Sequence, residues 1–124
     1  MCYTFYMEQK FKPVLSVRIF GEEKAFGPGV AELLRRVRTH KSLRAAAISM
    51  GMAYSKAWTV IRSSENALGC KLLVSVTGGK HGGGATLSPE AESILAAYEA
   101  YCEVLREFAE REFQARFSTL LSLR

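Results

Sequence analysis

Between Ser42 and Gly69 the chain carries two apolar stripes at helical spacing, separated only by Gly51-Met52-Ala53. Leu43, Ala46, Ala47 and Met50 fall at i, i+3, i+4 and i+7, one face of a short helix that Ser42 can cap and Gly51 ends. Tyr54, Ala57, Trp58 and Ile61 repeat the pattern, Leu68 extends it, and Gly69 stops it. The alanines of the first stripe let another helix approach closely. Two helices joined by so short a turn form a helix-turn-helix arrangement.

The flanking segments extend this unit. Upstream, Val14–Phe20 has strand composition with Leu15, Val17 and Ile19 on one face, Gly21–Lys24 reads as a turn, and Ala25-Phe26 as a short return strand. Gly27-Pro28 then opens a helix with Val30, Leu33, Leu34 and Val37 on its inner stripe and Arg35, Arg36 and Arg38 largely off it. Downstream, Lys71–Thr77 and Ala85–Leu87 read as strands around the Gly-rich loop 78–84. A hairpin in that position is a wing. The same loop lacks the GK[ST] of a P-loop and the GxGxxG of a dinucleotide fold. Ser88-Pro89-Glu90 caps a last helix, on which Ile94, Ala97, Tyr98, Tyr101, Leu105 and Phe108 line up loosely. That helix is long for so small a core, and part of its apolar face needs a partner.

The fold class is therefore α+β, mainly α: a winged helix-turn-helix with a short N-terminal β-hairpin and a long C-terminal dimerisation helix. Residues 1–12 form an N-terminal tail, 13–88 the winged domain, 89–117 the dimerisation helix and 118–124 a C-terminal tail.

Charge sharpens the functional reading. From Arg35 to Lys80 there are nine basic residues against the single acidic Glu65, whereas Pro89–Arg116 holds seven Glu against three Arg. A basic middle beside an acidic tail points one surface at a polyanion. With Tyr54, Ala57, Trp58 and Ile61 turned inward, the second helix of the motif presents Ser55, Lys56, Thr59, Arg62 and Ser63 outward. Hydroxyls and long cations are residues that read base edges in a major groove or grip phosphates. Helix-turn-helix proteins reach bases from the N-terminal part of that helix. The candidate DNA-binding residues are Ser42, Arg44, Tyr54, Ser55, Lys56, Thr59 and Arg62, with Lys80 and His81 at the wing tip. Trp58 is read as a core anchor and His40 as a loop residue between helices.

Other chemistries find little support. The chain has no Asp, and its two His and scattered Glu form no catalytic set, so neither an enzyme nor a cofactor is expected. Cys2, Cys70 and Cys102 are widely spaced without a CxxC, which speaks against a disulfide framework or a metal site. No apolar run approaches a membrane span and no signal peptide opens the chain, so the cytoplasm is the expected compartment.

The run Ser42-Leu-Arg-Ala-Ala-Ala-Ile-Ser-Met-Gly-Met-Ala-Tyr-Ser-Lys-Ala-Trp58 resembles the helix-turn-helix of ModE-type molybdate-responsive transcription regulators, which carry S-x-x-A-A-A-x-x-x-G-M-S-Y-x-x-A-W. Phe26-Gly-Pro-Gly29, Leu33-Leu34, Thr77–Ala85 and Leu87-Ser88 match as well, so the similarity spans about Val14 to Tyr101. The motif is related to that of LysR-type regulators. The resemblance implies winged-helix binding of double-stranded DNA by a homodimer; the candidate dimer contacts on the last helix are Ile94, Tyr98, Tyr101, Leu105 and Phe108, with Tyr98 and Tyr101 read as either dimer or core contacts. Ala53 departs from the family's Ser at the helix start, and Ala91 stands where Gly is common. Full-length members continue into a molybdate-binding domain. This chain is expected to be a stand-alone form without one, its regulation left to a separate effector-sensing protein or to abundance alone. The competing class is a winged-helix protein-interaction module without direct DNA readout, favoured if the cations prove scattered around the fold.

Overall fold

The computed structural model describes residues 11–76 and 84–121. In chain order the elements are β1 (Ile19–Phe20), β2 (Lys24–Phe26), α1 (Pro28–His40), α2 (Leu43–Ser49), α3 (Tyr54–Leu68), β3 (Leu73–Val76), β4 (Gly84–Leu87) and α4 (Pro89–Phe117). The protein is mainly α with a small β part, a winged helix-turn-helix. Two compact units divide it: residues 16–99, and residues 100–121 with 11–15.

The first unit is built as its residue types dictate. Pro28 occupies the first turn of α1, and Ser42 caps α2 by accepting the Ala45 N–H at 3.1 Å. Gly69 ends α3 in the left-handed conformation (φ 77°), its N–H donating to the Glu65 carbonyl. Ser88 serves both sides of its position: its hydroxyl accepts the Ala91 N–H at 2.9 Å, capping α4, and donates to the Lys71 carbonyl at 2.6 Å. The core gathers Phe26, Leu33, Leu34, Val37, Ile61, Leu72 and Leu95, all fully buried. Burying each such side chain stabilises the fold by about 1.5–3 kcal/mol. Tyr98 packs edge-on against Phe26 at 5.0 Å and donates its hydroxyl to the Val17 carbonyl at 2.7 Å. Strands β3 and β4 pair antiparallel with Leu73 opposite Leu87 and Val76 opposite Gly84.

Two sequence expectations are corrected. The strand read over Val14–Phe20 contracts to Ile19–Phe20, with an irregular register against β2, and Leu15 and Ile19 are exposed. Its β-branched composition lacks a partner long enough to pair with, since β2 holds only three residues. Trp58 is not a core anchor but 41% exposed. The buried face of α3 is Ala57, Ile61, Ser64 and Glu65, a stripe rotated toward two polar residues. Both are satisfied: Ser64 donates its hydroxyl to the Ala25 carbonyl, and the Glu65 carboxylate accepts the Leu72 N–H at 2.8 Å. These bonds clamp α3 to both hairpins and compensate for burying polar groups.

In the second unit, α4 continues to Phe117, with Phe113 stacked on Phe117 at 5.0 Å between ring centroids. Tyr101, Val104 and Phe108 leave an exposed apolar stripe at helical spacing on it, with Leu105 half-buried.

Candidate nucleic-acid interface

Helix α3 presents Ser55, Lys56, Trp58, Thr59, Arg62, Ser63 and Asn66 to solvent. Thr59 donates its hydroxyl to the Ser55 carbonyl at 3.0 Å, one turn earlier, which leaves the oxygen's acceptor capacity outward. Arg44 of α2 lays its guanidinium 4.1 Å over the Tyr54 ring, and Arg62 lies 5.6 Å from the Trp58 ring centre. Tyr54 and Trp58 meet edge to face at 6.4 Å. The four side chains form a ladder, Arg44–Tyr54–Trp58–Arg62, in which ring faces hold two guanidinium groups against the helix surface.

A groove of about 840 Å³ lies between the α1–α2 corner, the start of α3 and the base of the β3–β4 hairpin. Lys41, Arg44, Lys71, Tyr54 and Trp58 are among the residues lining it, as is His40, which the structure places at the end of α1.

The cations fall into two sets. The three arginines of α1 are paired: Arg35 with Glu32 at 2.7 Å and Glu99 at 2.5 Å, Arg36 with Glu32 at 2.7 Å, and Arg38 with Glu92 at 2.7 Å. Arg36 also donates to the Ser49 carbonyl at 2.7 Å, tying α1 to the end of α2. The Arg36 hydrogen bond is the main cause that holds the Glu32 carboxyl below its ordinary pKa, against the opposing effect of partial burial. Partial burial works against the charged form of Arg35, but its bonds to Glu99 and Glu32 prevail and raise its pKa. By contrast, Lys41, Arg44, Lys56, Arg62 and Lys71 form no salt bridge with any described carboxylate. Glu65, the one acid in the basic stretch, is turned inward onto the Leu72 N–H.

Of the residues expected to contact DNA, Arg44, Ser55, Lys56, Thr59 and Arg62 are exposed and Tyr54 is half-buried under Arg44. Ser42 is half-buried and engaged as a cap, and Lys80 and His81 lie outside the described residues. Lys41, Lys71 and Trp58 join the surface although sequence reasoning had not placed them there. Lys71 stood in the basic run at the mouth of the wing, which was the available signal; nothing in the apolar periodicity marked Trp58 as outward-facing. Among the residues expected in a dimer contact, Tyr98 is only 5% exposed and belongs to the core of its own chain, and Ile94 is half-buried.

An exposed helix rich in cations and hydroxyls, following a short turn and preceding a hairpin, defines the winged helix-turn-helix class of DNA-binding module. The family comparison agrees: residues 30–92 match the bacterial regulatory helix-turn-helix proteins of the LysR family, and the chain belongs to that family of DNA-binding transcription regulators. It is similar to the molybdenum-pterin-binding protein MopB of Rhodobacter capsulatus, 38% identical over 68 residues, covering 55% of this chain and 25% of that protein. It is also similar to the molybdenum transport protein ModE of Herbaspirillum seropedicae, 35% identical over 80 residues, covering 64% and 30%. ModE of Azotobacter vinelandii is 32% identical over 83 residues, covering 64% and 31%. The chain thus spans between a quarter and a third of the length of these relatives. Among the described residues, no helix is long and apolar enough to cross a membrane.

Proposed function

We propose that this chain is a sequence-specific transcription regulator that binds duplex DNA as a homodimer, with α3 in the major groove and the loop between β3 and β4 against the backbone or minor groove. The observation that carries the reading is the partition of the cations: those around α3 form no salt bridge with a described carboxylate, while those on α1 are neutralised within the fold. Lys56 and Thr59, near the start of α3, specify sequence; Arg44 and Arg62, held by their rings, position the duplex through phosphates. The apolar stripe Tyr101–Phe108 on α4 is covered by the same stripe of a second copy, setting two recognition helices roughly 34 Å apart. Lys80 and His81 extend the contact through the wing. No catalytic step and no cofactor belong to this reading.

Selection of bound sequences from a random duplex pool, at two salt concentrations, tests it. The expected result is a two-fold symmetric site whose enrichment is lost with Lys56→Ala. Absence of any enriched site overturns direct readout and transfers the surface to a protein partner. Sedimentation equilibrium tests the dimer separately: wild type is expected to be dimeric and Phe108→Glu monomeric, and an unchanged mass removes the α4 contact. Similarity to proteins named for molybdenum transport and molybdenum-pterin binding makes molybdenum-handling genes the first place to seek the operator.

A further inference from the structure

Lys41 is the only described non-glycine residue with a positive φ, 61°, at the left-handed position that ends α1. A side chain there costs backbone strain that glycine avoids, and the position ordinarily goes to glycine or asparagine. The corner itself needs only main-chain atoms. The Lys41 N–H donates to the Val37 carbonyl at 2.7 Å, and the Lys41 carbonyl accepts the Ala85 N–H of β4 at 3.0 Å. The side chain is exposed, forms no salt bridge with a described carboxylate, and belongs to a residue lining the groove with Arg44 and Lys71. Strain persists where function requires it.

We infer that the groove at the base of the wing is a binding site for a DNA phosphate, with Lys41 and Lys71 as its cations and Tyr54 and Trp58 as its aromatic wall. The inference rests on the DNA-binding reading and adds to it a site away from the recognition-helix positions that read bases. Three cationic residues line the groove, and a sugar–phosphate strand is the polyanion a DNA-binding module meets there. Its one acidic lining residue, Glu65, is committed to the Leu72 N–H. Tyr54 and Trp58 add apolar ring surface to the lining beside the guanidinium groups they carry, and the main-chain bond between Lys41 and Ala85 ties the α1–α2 corner to β4.

The site makes the two properties of Lys41 move in opposite directions. Lys41→Gly is expected to raise Tm by a few degrees through relief of strain. It should also weaken duplex binding about fivefold at 0.15 M salt and lower the slope of log affinity against log salt by about 0.9, the effect of one lost phosphate contact. Lys71→Ala, which leaves the Lys71 carbonyl and its bond to Ser88 in place, should reproduce the binding loss without the gain in Tm. Lys41→Arg should keep the slope. Trp58 is the chain's single tryptophan and reports on the groove directly, so saturating duplex should shield it from acrylamide quenching. Unchanged affinity and slope in both Lys41→Gly and Lys71→Ala, with Trp58 still open to quencher at saturation, overturn the phosphate site while DNA binding stands. Failure of the wild-type protein to bind any duplex removes the DNA reading itself.

Discussion

Two groups of cations within the 16–99 unit have opposite fates. On α1, Arg35, Arg36 and Arg38 meet Glu32, Glu99 and Glu92. Around α2, α3 and the hairpin base, Lys41, Arg44, Lys56, Arg62 and Lys71 meet no described carboxylate, and two of them rest on aromatic rings instead. A guanidinium already bonded to a carboxylate has little left to offer a phosphate. One held on a ring face keeps its N–H donors open. Net charge therefore overstates the binding surface, and pairing decides which cations belong to it.

The largest test of this division removes cations from each group in turn. Arg44→Ala with Arg62→Ala should lower the salt slope by about 1.8 and weaken duplex binding roughly thirtyfold at 0.15 M salt, two phosphate contacts being lost. Arg35→Ala with Arg38→Ala should leave the slope unchanged and lower only stability, by no more than about 1 kcal/mol per partly exposed pair. Affinity titrations over a salt series separate the outcomes, and equal slopes for the two double variants would break the comparison.

Next in size is the buried acid that keeps the binding surface free of negative charge. Glu65→Ala strands the Leu72 N–H and should destabilise the domain by about 1–3 kcal/mol in denaturant titration. Glu65→Gln keeps an acceptor there and should recover most of the loss. If alanine and glutamine are equally harmful, the clamp between α3 and β3 is not the reason for the buried carboxylate. A smaller effect is expected at Gly84, where an added Cβ would stand 3.1 Å from the Lys41 carbonyl that accepts the Ala85 N–H. Gly84→Ala should cost about 1 kcal/mol by loosening that bond, with a matching rise in wing exchange rates.

Most of the fold was legible because its signals are local. Ser42, Gly69 and the Ser88-Pro89 pair act within one turn of their own position, and each holds the place that capping chemistry assigns it. The site was legible in outline, since Ser55, Lys56, Thr59 and Arg62 share one helix face whatever the core does. What escaped the sequence depends on partners far along the chain. Apolar periodicity places Trp58 inward, but the buried stripe of α3 rotates to let Ser64 reach Ala25 and Glu65 reach Leu72. Arg35 and Arg38 count in the basic stretch, but Glu99 and Glu92, more than fifty residues away, pair with them. Periodicity cannot see such pairings, nor could it show that the strand over Val14–Phe20 would find only three residues to pair with.

The finest test uses protons on the paired group. Glu32 bridges Arg35 and Arg36, and the Arg36 hydrogen bond is the first cause of its lowered pKa. A carboxyl whose folded pKa is depressed adds stability that is fully present above its unfolded value, near 4.5, and is lost as pH falls through the folded value. Glu32 is about 39% exposed, so solvent screening keeps the effect below about 1 kcal/mol. Wild type should exceed Glu32→Gln in stability above pH 4.5, with the difference narrowing in more acid solution. A parallel offset at every pH would assign the loss to packing rather than charge. The same variant measured on duplex DNA decides whether the two cation groups are truly separate. Losing Glu32 releases Arg36 from its only carboxylate among the described residues. Should that release steepen the salt slope, the α1 arginines are held in reserve for DNA and the division is one of degree; an unchanged slope confirms that position on the fold, as well as pairing, keeps them off the duplex.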